Sequence, residues 1–183
     1  MITNIEVYYR DDPASDDLTP VSRVDPLPVV MPNPLVRTGL FESEWVQADY
    51  GATSGALDAN DAMGNVFKIA VPTKGRILSI KMLDLDDDTL AATIHLYSAN
   101  FTGAASDAAY TVADTDANGW VASELFDAGT DEGSFKAHVI KDVNVEYVAN
   151  GGYLYAQLST SGTPNIADQT VMPKVKLFIQ PLG

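Results

Sequence analysis

The chain has no cysteine. Disulfide frameworks, zinc–thiolate sites and thiol nucleophiles are therefore excluded. Long apolar runs are missing too: none approaches the ~20 residues an α-helix needs to cross a bilayer. The opening residues, MITNIEVYYRDDP, lack a basic stretch followed by an apolar one, so no secretory leader is expected. Basic residues are scarce. Eleven Lys and Arg stand against 25 Asp and Glu, a net charge of −14. That field repels duplex DNA and anionic membranes, so neither is expected as a partner. The G-x-S-x-G elbow, HExxH, GxGxxG and the Lys-containing P-loop are all absent. No catalytic constellation is legible, and no cofactor is expected.

What is present is a pattern of short alternating runs. Between Gly64 and Phe101, Phe67, Ile69 and Val71 alternate with Lys68 and Ala70. Leu78, Ile80 and Met82 then alternate with Ser79 and Lys81, and Ile94 and Leu96 with Thr93, His95 and Tyr97. A period of two gives each strand a dry side and a wetter side. Pro72-Thr-Lys-Gly75 reads as a tight hairpin connection within one antiparallel sheet. Further strands are expected at Phe41–Tyr50, Trp120–Phe126, Phe135–Ile140, Tyr153–Thr160 and Thr170–Gln180. Val143–Val148 either pairs with the strand before it or starts a turn. Asn150-Gly-Gly152 is a turn signal. Eight or nine short strands with no helical period predict an all-β fold, an antiparallel β-sandwich of jelly-roll type. With 183 residues the chain fits one domain, or one domain plus an arm, and a body of that size buries roughly 70% of its unfolded surface.

The arm is residues 1–42 and the body 43–183. Six of the ten prolines lie between Pro13 and Pro34. Each removes a backbone donor and turns its predecessor away from helix, so DPLPVVMPNPLV is expected to run extended. Yet Val24, Leu27, Val29, Val30, Met31, Leu35 and Val36 make it apolar, unlike a disordered linker. An extended apolar segment needs a groove, on its own body or on a neighbouring subunit. These seven residues are the candidate partner-binding set. Ile2–Tyr9 is a further short strand candidate.

Four features carry possible chemistry. Asp114-Thr-Asp116-Ala-Asn118-Gly119 resembles the start of a calcium loop, but position twelve is Leu125, Glu124 comes one place early, and no helices flank it. The competing reading is an acidic loop or capped turn leading into the Trp120 strand. Asp84-Leu-Asp86-Asp87-Asp88 reads as a solvated acidic loop. His95 and His138, both inside strand candidates, could each serve as a general base only if an acid and a nucleophile converged on it. The eight tyrosines, with Trp45 and Trp120, could form a sugar-stacking platform, or simply pack.

One resemblance bears on function. Its residues are Asn60-Asp-Ala-Met-Gly64, Val66-Phe67, Val71-Pro72, Gly75-Arg-Ile-Leu-Ser-Ile80, Asp84-Leu-Asp-Asp87, Leu96-Tyr-Ser-Ala-Asn-Phe101 and Tyr153-Leu-Tyr-Ala-Gln-Leu158. Over roughly 60–180 the chain resembles capsid decoration, or cement, proteins of tailed bacteriophages. The resemblance implies a non-enzymatic β-sandwich on the outer shell, often a homotrimer, with the major capsid protein as its partner. It places the protein on the virion after synthesis in the host cytoplasm, with the arm as a tether. The rival reading is a glycan-binding sandwich of a phage tail, fibre or cell surface.

Overall fold

Alternating apolar residues from the strands of two antiparallel sheets turn toward a shared core. In the computed structural model the described residues are 8–9, 19–20, 39–50, 55–85, 91–127, 129–166 and 169–183. The chain divides into two units, Met1–Arg37 and Thr38–Gly183. In the first, β1 (Tyr8–Tyr9) pairs antiparallel with β2 (Thr19–Pro20). The remainder of that unit, including Val24, Leu27, Val29, Val30, Met31, Leu35 and Val36, lies outside the described residues.

The second unit is all-β. Its strands are β3 (Phe41–Glu42), β4 (Val46–Gln47), β5 (Gly55–Ala56), β6 (Ala62–Ala70), β7 (Lys74–Asp84), β8 (Ala92–Tyr97), β9 (Trp120–Phe126), β10 (Thr130–Asp131), β11 (Lys136–Ile140), β12 (Val145–Val148), β13 (Tyr153–Thr160), β14 (Asn165–Ile166) and β15 (Lys174–Pro181). One sheet runs β10-β11-β7-β15-β3, with β12 on the same edge of β7 as β11 and β4 on the same edge of β15 as β3. The other runs β6-β13-β8-β9. A two-stranded ribbon joins β14 to β5. Every pairing is antiparallel. The two larger sheets pack as a β-sandwich.

The core lies between them. β7 and β15 supply Ile77, Ile80, Met82, Val175, Leu177 and Ile179. Facing them are Phe67 and Ile69 of β6, Leu154, Ala156 and Leu158 of β13, and Ile94 and Leu96 of β8. Burying each large aliphatic side chain contributes about 2 kcal/mol. The alternation expected for β6, β8, β13 and β15 is therefore present. β7 differs: the buried residues are Ile77, Ile80 and Met82, and Leu78 is only half-buried. The register against β15 shifts between Phe178 and Ile179, which puts an extra residue in β7. Such a bulge moves the inward set by one position.

The Pro72–Gly75 segment is not a hairpin. β6 belongs to the four-stranded sheet and β7 to the seven-stranded one, so the connection crosses between layers. Pro72 has no N–H to give a ladder. Its neighbours' groups are taken elsewhere: Val71 N–H donates to the Gly152 carbonyl at 2.9 Å, and Ala149 N–H to the Thr73 carbonyl at 2.8 Å. Gly75 serves space and not turn geometry, since a Cβ there would stand 2.6 Å from Ile179 Cγ2 and 2.7 Å from the Tyr147 hydroxyl. The Asn150–Gly152 turn is present, with Gly151 and Gly152 at positive φ, and it too carries the chain from one sheet to the other.

The first body strand, expected over 41–50, is broken into β3 and β4. Ser43 fills the gap: its N–H donates to the Leu177 carbonyl and its Oγ accepts the Leu177 N–H, both at 3.0 Å. β12 pairs with β7 and not with β11.

Candidate functional site

The outer face of the four-stranded sheet carries an unusual buried polar set. Because Ile94 and Leu96 point to the core, His95 between them points outward. It stands opposite Gln157 of β13 and Ser123 of β9. The residues of β13 that face the same way are Tyr155, Gln157 and Ser159. Gln157 and Ser159 are nonetheless buried.

They are buried because the 98–119 connection folds back over them. Its path is pinned along the start of β6: Ala62 N–H donates to the Ala108 carbonyl, Asp107 N–H to the Ala62 carbonyl, and Tyr110 N–H to the Asn60 carbonyl. The Gln157 amide reaches into it. Nε2 donates to the Ala104 carbonyl at 2.7 Å and to the Gly64 carbonyl at 2.8 Å, while Oε1 accepts the Ala104 N–H at 3.1 Å. Tyr110 lies flat on His95, ring centroids 3.8 Å apart and planes 11° off parallel. Its hydroxyl meets that of Tyr97 at 3.2 Å, and Tyr97 packs on Phe101 at 4.0 Å.

Both imidazole nitrogens of His95 are occupied. Nδ1 is 2.9 Å from Ser123 Oγ, and Nε2 is 2.9 Å from Ser159 Oγ. Ser123 Oγ also accepts the Trp120 indole N–H at 3.0 Å. A neutral ring has one donor and one acceptor, so one serine gives a hydrogen bond and the other takes one. Burial keeps the ring neutral, with its pKa pushed down to about 4. Burial, then the bond to Tyr97, raises the Tyr110 phenol well above the ordinary tyrosine range. A serine beside a histidine resembles a nucleophile and its base. Here the second nitrogen is held by a serine where an orienting carboxylate would stand, the ring is roofed by tyrosine, and its basicity is depressed. The arrangement works as a clamp that fastens the connection to the sheet.

The other sequence candidates are dispersed. His138 sits on β11, in the opposite sheet from His95, so the two histidines do not converge. It is buried, donates from Nδ1 to the Asp127 carbonyl at 2.6 Å, and meets Phe126 edge-on. A Cβ on Gly129 would come within 2.7 Å of its Nε2, so that glycine makes room for the ring. Asp84 is fully buried at the end of β7, which corrects the solvated-loop reading for that residue; Asp86, Asp87 and Asp88 lie outside the described residues. Asp114–Gly119 forms a turn and a short 3-10 segment running directly into β9. Asp116 Oδ2 accepts the Thr102 N–H at 3.1 Å. Among the described residues no three acidic or histidine side chains gather to hold an ion.

The aromatics do not share one platform. Tyr97 and Tyr147 are buried, Trp45 lies beside the seven-stranded sheet, and Trp120 on the four-stranded one. Trp120 is 56% exposed and Tyr153 43%. The clamp itself was missed from sequence. Its signal is the polar series Tyr155, Gln157, Ser159 on the face of a strand whose other face carries Leu154, Ala156 and Leu158.

With this geometry in hand, comparison with known family models, curated proteins and solved structures gave no match to any of the three.

Proposed function

We propose that the chain is a non-enzymatic structural protein of a virion: an oligomeric decoration protein on the outer surface of a tailed-phage capsid. It ties neighbouring capsomers together and stabilises the shell. Its partners are the major capsid protein and further copies of itself, as a trimer, with no cofactor. The observation that carries this reading is a sandwich with large apolar side chains left exposed on both outer faces. Trp120 and Leu125 stand out on one sheet, and Val139 and Trp45 on the other. Such residues fit contacts that bury them against neighbours. A body with an apolar arm covers about 1,000 Å² or more in a multi-partner contact. Attachment through several linked copies adds avidity without a tight single contact. The arm residues between Val24 and Val36 act as the tether.

A second reading, a glycan-binding module, is favoured by Trp120 alone. Its indole is fixed by Ser123 and open to solvent, as a sugar-stacking ring would be.

The test adds the purified chain to capsids that lack it. The decoration reading expects the chain to sediment with the shells and to raise their melting temperature. Failure to sediment, together with retention on polysaccharide that is lost in Trp120→Ala, selects the second reading.

A further inference from the structure

The outward sides of the two sheets carry opposite charge. Five of the eight cations in residues 38–183 point outward from the seven-stranded sheet: Lys74, Arg76, Lys81, Lys174 and Lys176. Two carboxylates are bonded among them, Glu146 to Arg76 and Glu42 to Lys176. The register sets Val139, Lys81 and Lys176 in one row across three strands, and that row ends at Trp45. Lys81 Nζ sits 4.8 Å from the centre of Phe178, and Lys176 Nζ lies 5.6 Å from that of Trp45. Aromatic faces hold these ammonium groups close to the sheet. Val139 is 47% exposed and Trp45 38%.

The opposite side is mainly acidic: the cation on its sheet is Lys68, whose Nζ lies 5.5 Å from the centre of the Tyr155 ring. The connection over the four-stranded sheet, residues 98–119, contains Asp107, Asp114 and Asp116 and no Lys or Arg. Asp58 and Asp61 stand in the turn that pairs with it. In a two-layer sandwich these sides face away from each other, so one molecule cannot join them. Two molecules can.

We propose that the sandwich binds a second copy of itself head to tail, the Lys81–Lys174–Lys176 face of one copy receiving the Asp58–Asp114 side of the next. The proposal rests on the oligomeric part of the function above and is independent of the capsid. Contact between unlike patches is heterologous; it closes into a ring if the rotation allows and otherwise continues as an open string. The net charge of −14 opposes this only at long range. At physiological ionic strength the screening length is about 8 Å, so the facing groups dominate the contact.

Sedimentation velocity on the full chain tests this with two double variants. K81E/K174E reverses the basic face, and D58K/D114K reverses the acidic one; K81Q/K174Q and D58N/D114N replace a pair that fails to fold by circular dichroism. The wild-type chain is expected at twice the protomer mass or more at physiological salt. It should fall to the protomer at about 1 M salt, where the screening length is about 3 Å. Each reversed variant alone is expected to be a protomer, and an equimolar mixture of the two to recover the larger species. Three results overturn the proposal: a wild-type protomer at every salt, loss in K81E/K174E with D58K/D114K unaffected, or no recovery on mixing. The second of these would assign the basic face to an acidic occupant other than this side of the sandwich. If self-association survives while capsid attachment fails, the decoration reading falls and this contact stands.

Discussion

Replacing Gln157 with leucine tests whether the 98–119 connection is welded to the sheet. Leucine approximates the volume but supplies no polar atom. Three backbone groups lose their partner: the Gly64 carbonyl and both the carbonyl and the N–H of Ala104. Gln157 is fully buried, and its bond to Gly64 is shielded from water on both sides. An unmet buried group costs about 1–3 kcal/mol. The two Ala104 groups are only partly buried, so they belong at the low end. The sum is about 3 kcal/mol. For a chain of this size each kcal/mol moves the melting temperature by about 2–4 °C, so a drop of about 6–12 °C is expected. Calorimetry measures it, and hydrogen exchange locates it: amides of residues 98–110 should lose protection ahead of those in β7 and β15. A shift within about 2 °C, or unchanged protection of that connection, would refute the reasoning, because the cost would then lie below that of a single buried hydrogen bond.

Three further outcomes follow from the geometry. His95 has a folded pKa near 4, below its ordinary 6.5, so the unfolded chain binds the extra proton first. Its contribution is full above about pH 6.5 and is lost as the pH falls toward 4; melting temperatures across that window should decline, and His95→Phe should flatten the decline. Gly64 lies at φ +76° with the Asp49 carbonyl oxygen 1.9 Å from where a Cβ would stand, so Gly64→Ala should cost about 3 kcal/mol in chemical denaturation. EDTA should leave the melting temperature unchanged, since Asp116 already holds the Thr102 N–H; a clear drop on chelation would restore the calcium reading of the Asp114 loop.

The strands were legible because a two-sheet core demands period-two alternation. Leu154, Ala156 and Leu158, and likewise Val175, Leu177 and Ile179, point inward as their spacing predicts. Pairing was not legible. Alternation identifies a dry face but not an edge, so β6 and β7 read as hairpin partners when they belong to different sheets. The bulge at Leu78 was hidden for a related reason: Ile77 and Leu78 are both apolar, and only register against β15 decides which turns inward. Asp84 ran against the prior that a carboxylate cluster is solvated. The clamp was the hardest to foresee. His95, Ser123, Ser159, Gln157 and Tyr110 come from four separate segments, and an Ala- and Ser-rich connection gives no sign of the face it will cover.

As a decoration protein, this sandwich would act through the surfaces it buries against larger neighbours. A cryo-EM map of the native particle tests that most directly. It should show density fitting the body on the outside of the shell, with Trp45, Val139 or Trp120 covered by an adjoining chain. A particle whose outer surface carries no such density, with the protein recovered only as a free protomer, would contradict it.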